Sequence, residues 1–364
     1  MARILLTGAS GAVGSHVLRH LLANTDREIT CPVTFRHRGN SDRIASALAG
    51  NDSWHQRVRV VICDLAAPIS ETTAARFGRV DEIWNVASDS HVDRSMLEPA
   101  RFTENNVSLM LNLLDYARQA RPRLFLQMST DEVYGPAPDG YRHREWDRIL
   151  PSNPYSASKA AQEAISISYW RTYGVPVVIT NTMNIICQMQ DWEKMVPKTI
   201  RALILGEPVT VHVSPDGVPG SRFYLHARNL ADAWLWVSRN QAPQMYPGHD
   251  VPLRYNIVGE REVSNTELVE SIAGILGIEP RMAFVNFHES RPGHDLRYAL
   301  DGARLAAAGW SAPVPLDESL RQTVLWSVRH PGWLGLSKET VQGLLERLPA
   351  AVLQAAPGQR ILAA

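Results

Sequence analysis

Arg3-Ile4-Leu5-Leu6-Thr7-Gly8-Ala9-Ser10-Gly11-Ala12-Val13-Gly14 is the stretch whose reading decides the fold. Arg3–Thr7 reads as a buried strand, and Val13, Val17, Leu18, Leu21 and Leu22 behind it fall at helical spacing. The glycines therefore sit where a strand turns into a helix. That context permits a tight turn and lets the backbone approach a pyrophosphate closely. The helix start then offers free N–H groups and a positive dipole end to the phosphates. Gly8, Ser10, Gly11, Ala12, Val13 and Gly14 are the candidate cradle, spaced GxxGxxG rather than GxGxxG.

The alternation continues outward from that turn. Strands are expected over Ile29–Phe35, Val58–Cys63, Glu82–Val86, Leu124–Met128 and Val175–Thr180. Helical patterns separate them at Ile44–Leu48 and Asn106–Ala117, and a helix starts near Pro154, capped by Asn153, and runs toward Tyr173. Strands divided by helices predict βαβ units and a parallel sheet, an α/β fold. Beyond about Asn184 the strands shorten, and helices such as Asn265–Leu276 stand alone. The reading divides the chain into a dinucleotide-binding domain over 1–183, a smaller mixed α/β substrate domain over 184–335 and a tail over 336–364. Residues 222–258 are candidates to return to the first domain.

The 364 residues carry 37 Lys+Arg against 37 Asp+Glu, so no global field draws nucleic acid or an anionic membrane. Hydrophobic residues at 45% suffice for a large core. Cys31, Cys63 and Cys187 show neither disulfide nor zinc spacing, which predicts free thiols and no metal. The apolar start is too short for a secretory signal and is broken by Gly8 and Gly11, so a cytoplasmic protein is expected.

Four further groups carry chemistry. The second strand runs into Phe35-Arg36-His37-Arg38. An arginine there accommodates a 2′-phosphate and favours NADP, whereas an acid would favour NAD; a solvated basic loop is the other reading. Asp64-Leu65, after the third strand, is placed to reach an adenine, and Asp64 is equally placed to cap a helix. Tyr155 and Lys159 share one helix face at i and i+4. A neighbouring ammonium lowers a phenol's pKa, and a drop of about three units takes about 4 kcal/mol, within reach of a nearby cation plus the charge of a bound cofactor. Ser129-Thr130-Asp131-Glu132-Val133-Tyr134-Gly135 follows the fifth strand, at the carboxyl end where open α/β sheets place ligands. Asp131 and Glu132 can divide into an acid and a base if their surroundings differ, or can simply begin a turn.

Together these residues resemble the extended short-chain dehydrogenase/reductase family, most closely the dTDP-glucose 4,6-dehydratases. The similarity runs from about Arg3 to Trp333 through Thr7–Gly14, Ser90–Ser95, Ser129–Gly135, Pro151–Lys159, Tyr255–Ile257, Arg291–Asp295 and Gly309-Trp310. The Ser-Thr-Asp-Glu-Val-Tyr-Gly string is specific, since related epimerases and decarboxylases usually lack the Asp-Glu pair. The resemblance implies a Rossmann-type doubly wound parallel sheet, a tightly bound NAD(P)+, a nucleotide-diphosphate sugar as substrate and a homodimer. It implies that Tyr155, with Thr130 and Lys159, takes the sugar O4 proton during oxidation at C4. Glu132 then takes the C5 proton and Asp131 protonates the departing C6 hydroxyl. By the same analogy Arg36, Arg38, Asp64, Leu65 and Ala87 line the cofactor. Ser88, His91, Asn184, Arg222, Asn256, Arg291 and His294 would hold the substrate. A 4-epimerase or 4-ketoreductase on the same scaffold is the alternative. Arg36 stands where these dehydratases usually have an acid, and Ile185–Trp192 replaces the family's Asn-Tyr-Gly-Pro type of loop.

Overall fold

A computed structural model describes residues 2–36, 38–242, 245–286 and 296–347. Seven parallel strands form its main sheet in the order β10-β6-β5-β4-β1-β2-β3. They are β1 (Arg3–Thr7), β2 (Glu28–Val33), β3 (Val58–Ile62), β4 (Glu82–Asn85), β5 (Leu124–Thr130), β6 (Val177–Thr182) and β10 (Leu253–Ile257). β2 and β3 add on one side of β1, and β4, β5 and β6 on the other. The strand order reverses at β1/β4, and the crevice outside the carboxyl ends there is the site such sheets offer a ligand.

Helices α1 (Ala12–Asn24), α2 (Ser41–Leu48), α3 (Glu71–Phe77), α5 (Pro99–Ala120) and α6 (Pro154–Tyr173) connect these strands, with α4 (Val92–Leu97) preceding α5. Two apolar layers fill the two sheet faces. Ile4, Leu6, Val17, Leu18 and Trp84 lie in one, and Leu5, Ile83, Leu113, Phe125 and Ile179 in the other. Alternate residues of β1 thus enter opposite cores, as the period-2 geometry of a strand requires.

Strand ends depart from the sequence reading for local reasons. β2 stops at Val33 because Phe35 takes φ +51°, a left-handed conformation that ends the ladder. β5 runs two residues beyond Met128 because Ser129 and Thr130 pair with Asn181 and Thr182 of β6. α6 begins at Pro154 with a full capping box: Asn153 accepts from the Ser156 N–H, and Ser156 accepts from the Asn153 N–H.

After β6 the chain builds a second layer. β7 (Asn184–Ile186), β9 (Ser221–His226) and β11 (Glu262–Ser264) form a three-stranded sheet, and β8 (Val209–Val213) pairs with β12 (Met282–Asn286). α7 (Met195–Leu205) and α9 (Asn265–Leu276) pack there with the helix Leu316–Arg329. Val341 and Leu344, from the helix Lys338–Arg347, join the same apolar cluster. Between these elements α8 (Ala227–Asn240) packs on α1, and β10 adds to the edge of the main sheet beside β6.

A buried ion pair fastens β10 to that sheet. Arg254 donates to Glu163 on α6 at 2.6 Å, with both side chains fully buried. The same guanidinium donates to the carbonyl of Glu145 at 2.9 Å and lies 4.0 Å above the Trp146 ring. Asn181 completes the set by donating to Glu163 at 2.8 Å. Arg254→Met leaves the Glu163 carboxylate buried and unpaired, so denaturant unfolding should show a loss of roughly 3–5 kcal/mol. Adding Glu163→Gln should recover most of it; a single variant as stable as the parent would contradict this role.

Candidate active site

The glycine turn is shaped by contacts that exclude side chains. Gly8 has φ +72°, and a Cβ there would meet the Ala87 amide nitrogen at 3.0 Å. A Cβ on Gly14 would stand 2.1 Å from the Gly8 carbonyl oxygen, so only glycine closes the turn. The Gly11 N–H donates to that carbonyl at 2.8 Å. Thr7 accepts at its hydroxyl from the N–H groups of Val86 and Ala87, tying the turn to the end of β4. Gly11 has no side chain to cap α1, so the first-turn N–H groups, Ala12 and Val13 included, face the turn free. This cradle fits a dinucleotide pyrophosphate.

At the end of β2, Arg36 pairs with Asp64, which follows β3. Asp64 also accepts from the Ala66 N–H at 3.1 Å, so it shapes a turn as well as holding an arginine. Leu65 is buried beside it, and its carbonyl accepts from Asn112. Arg38 is turned to Asp191 and Glu193 of the segment after β7. Both described arginines of the basic loop are thus held by carboxylates.

The fifth strand and the start of α6 bring the acid pair to the tyrosine. Thr130, the last residue of β5, donates its hydroxyl to Asp131 at 2.7 Å and is hydrogen-bonded to Tyr155. Asn153 donates to Glu132 at 3.2 Å, so the residue that caps α6 also positions this carboxylate. Ser95 accepts from the Tyr155 N–H, and Phe102 packs edge-on to the phenol ring. Burial pushes the Asp131 carboxyl up to about 6, against the Thr130 hydrogen bond and the Arg222 charge, and its Oδ2 is buried with no partner among the described residues. At neutrality part of the Asp131 population is a carboxylic acid able to donate.

Lys159 lies one turn along α6 from Tyr155. Its amine donates to the Met128 carbonyl and to Gln162, each at 2.7 Å, and burial pushes it down to about 7. Burial, then Glu132 and Asp131, hold the Tyr155 phenol well above the ordinary tyrosine value, against the Thr130 hydrogen bond. The chain's own side chains therefore favour the neutral phenol. Ionisation here needs positive charge from outside these side chains.

The substrate-side candidates divide. Arg222, stacked 4.6 Å above Tyr298, lies near enough to Asp131 for its charge to act there. His91 accepts from the Arg94 N–H and pairs with Glu193 at 3.0 Å. Ser88 donates to the adjacent Asp89 carbonyl, and Asn184 is exposed at the start of β7. Asn256 is turned inward: it is fully buried and donates both amide hydrogens to the carbonyls of His143 and Asp301. Its amide nitrogen holds the sheet edge, and its Oδ1 is buried without a partner among the described residues. Arg291 and His294 lie outside the described residues. Sequence reading missed Lys194, whose ammonium acts on Glu132 and donates to the Ser90 carbonyl at 3.1 Å. No spacing marks it; only the fold brings the start of α7 to the end of β5.

The turn yields a direct test. Gly14→Ala should weaken dinucleotide binding about a hundredfold, roughly 2.7 kcal/mol, in a fluorescence titration with NADH. Binding within about twofold of the parent would remove this turn from the site.

Comparison with known proteins matches the geometry. The model of the NAD dependent epimerase/dehydratase family matches residues 4–257. Among curated relatives, the trifunctional UDP-glucose 4,6-dehydratase/UDP-4-keto-6-deoxy-D-glucose 3,5-epimerase/UDP-4-keto-L-rhamnose-reductase RHM3 of Arabidopsis thaliana is 31% identical over 98% of this chain, which spans only 51% of that longer protein. The low-salt glycan biosynthesis protein Agl12 of Haloferax volcanii is 35% identical over 88% of this chain and 97% of its own length. The crystal structure of DesIV, the dTDP-glucose 4,6-dehydratase of Streptomyces venezuelae, with NAD and TYD bound, superposes with a TM-score of 0.77 at 30% identity, over 91% of this chain and 98% of that one. A family model over more than half the chain, a full-length relative and a shared architecture agree: this chain belongs to the NAD dependent epimerase/dehydratase family.

Proposed function

We propose that the chain is a nucleotide-sugar 4,6-dehydratase, forming a 4-keto-6-deoxyhexose still attached to its nucleotide diphosphate. The observation that carries this reading is the Asp131 carboxyl: buried, raised to about 6, one oxygen without a partner among the described residues, and beside Glu132, Thr130 and Tyr155. A 4-epimerase needs the tyrosine but no such acid. Relatives whose names include 4,6-dehydratase activity support the reading.

The glycine turn Gly8–Gly14, with Ala87, Asp64 and Leu65, would hold NAD(P)+. When bound, that group accepts a hydride from the sugar and later returns it. Tyr155 takes the O4 proton, oriented by Thr130. A ketone at C4 acidifies C5, and Glu132, fixed by Asn153, takes the C5 proton and would give a proton back to C5 once water has left and C6 has received the hydride. Asp131, in its protonated form, gives its proton to the departing C6 hydroxyl, which leaves as water. Arg222 and Lys194 supply positive charge beside the acid pair, suited to the diphosphate of the substrate. Arg36 is the group that would meet a 2′-phosphate of NADP, and it must leave Asp64 to do so.

Cytoplasmic location and a homodimer belong to the same proposal. The three free cysteines support the first, and the exposed Leu97 of α4 and Leu111 of α5 support the second.

Incubation with a panel of nucleotide-hexoses should give one product lighter by one water, with no added reductant. Glu132→Gln should abolish that product while oxidation at C4 persists as partial reduction of the bound cofactor. Undiminished water loss in this variant, or an inverted hexose of unchanged mass from the parent, would overturn the assignment.

A further inference from the structure

The segment Gln188–Lys194, between β7 and α7, contacts α1, α2 and the connections after β2 and β4. Gln188 is shared by His16 of α1 at 2.9 Å and His226 at 3.2 Å. The Met189 carbonyl accepts twice from Arg43 of α2, at 3.0 and 2.8 Å. Arg43 is itself 1% exposed, lies over Trp333 and also donates to the Ser10 carbonyl in the turn. Asp191 takes Arg43 at 3.1 Å and Arg38 at 3.7 Å.

Glu193 is the joint of this segment. One oxygen pairs with Arg38, on the connection after β2; the other pairs with His91, on the connection after β4, at 3.0 Å. Arg94 stands 3.9 Å away, and the adjacent Lys194 donates to the Ser90 carbonyl. β1 lies between β2 and β4 in the sheet, so a carboxylate bridging their two connections spans the carboxyl end of β1. That is where the glycine turn opens. Removing this carboxylate leaves Arg38 with Asp191 alone and takes the acceptor from His91, so the bridge between the two connections is lost.

We infer that Gln188–Lys194 is a latch across the dinucleotide groove, and that Glu193 is the positioning residue that keeps it shut over bound cofactor. The inference rests on the reading above that the chain binds a dinucleotide. A cycle that returns its hydride has no need to release the cofactor between turnovers, and a latch of ion pairs serves that economy. The pairs are partly exposed, so salt weakens their hold.

The test is the release rate of NADH, and of NADPH in parallel, from the saturated full chain, followed by fluorescence after a chase with excess oxidised cofactor. Glu193→Gln should speed release about tenfold or more, since losses of this kind appear mainly in dissociation. Arg38→Gln, the second variant, should do the same, and the double variant should be no faster than about twofold beyond either single one. Raised salt should speed release from the parent and leave Glu193→Gln nearly unaffected, a response that a merely structural role would not produce. Release from both single variants at the parent's rate, with normal uptake, would overturn the latch alone. A parent chain that takes up no dinucleotide would overturn the proposed function and the latch with it.

Discussion

Bringing a carboxyl and a phenol into one water-poor crevice costs free energy whenever either is charged. That cost shapes the end of β5. Asp131 responds by holding its proton to about 6, and Tyr155 by holding its own well above the usual tyrosine range. Thr130 lies between them, hydrogen-bonded to both. Everything around this group serves to fix it: the ladder with β6 that carries β5 as far as Thr130, the capping box that starts α6, and the Asn153 amide that reaches Glu132. The crevice thus favours the neutral form of both groups over the charged one relative to water.

The buried Arg254–Glu163 pair lies behind this arrangement. Glu163 is on α6, one turn beyond Lys159, and it raises the lysine against the burial that lowers it. Glu163 therefore serves two cations. It neutralises Arg254, which fastens β10 to the sheet, and it biases Lys159 toward its charged form. Packing of the returning strand and the charge state of a candidate catalytic lysine are thus tied through one carboxylate.

What could be read in the sequence was what depends on neighbours along the chain. The glycine turn, the strand before it and the helix after it form one continuous stretch, and each agrees with the next. Asn153-Pro154 marks a helix start because capping is a contact across three residues. The acid pair was legible as a motif at the end of an apolar strand. The partners were not. Arg36 meets Asp64 only because β2 and β3 are adjacent, and Lys194 meets Glu132 only because α7 begins near the end of β5. Lys159 shows the same limit: spacing places it one turn from Tyr155, and Met128 and Gln162 receive its amine. Asn256 sits in a familiar string, yet its amide is spent on the sheet edge.

Fold alone leaves several reactions open on this scaffold. The acid pair and the phenol narrow them, provided that the phenol is neutral in the chain alone and ionises only when cofactor charge arrives. The direct measurement is an NMR pH titration of chains labelled at the tyrosine ring carbon bearing the hydroxyl, with the Tyr155 signal assigned by Tyr155→Phe. Without cofactor, Tyr155 should stay neutral beyond the ordinary value of about 10, and saturation with oxidised dinucleotide should lower its midpoint by at least about two units. A midpoint at or below the ordinary value in the free chain, or one unmoved by the cofactor, would contradict a phenol held neutral by burial and by its carboxylate neighbours.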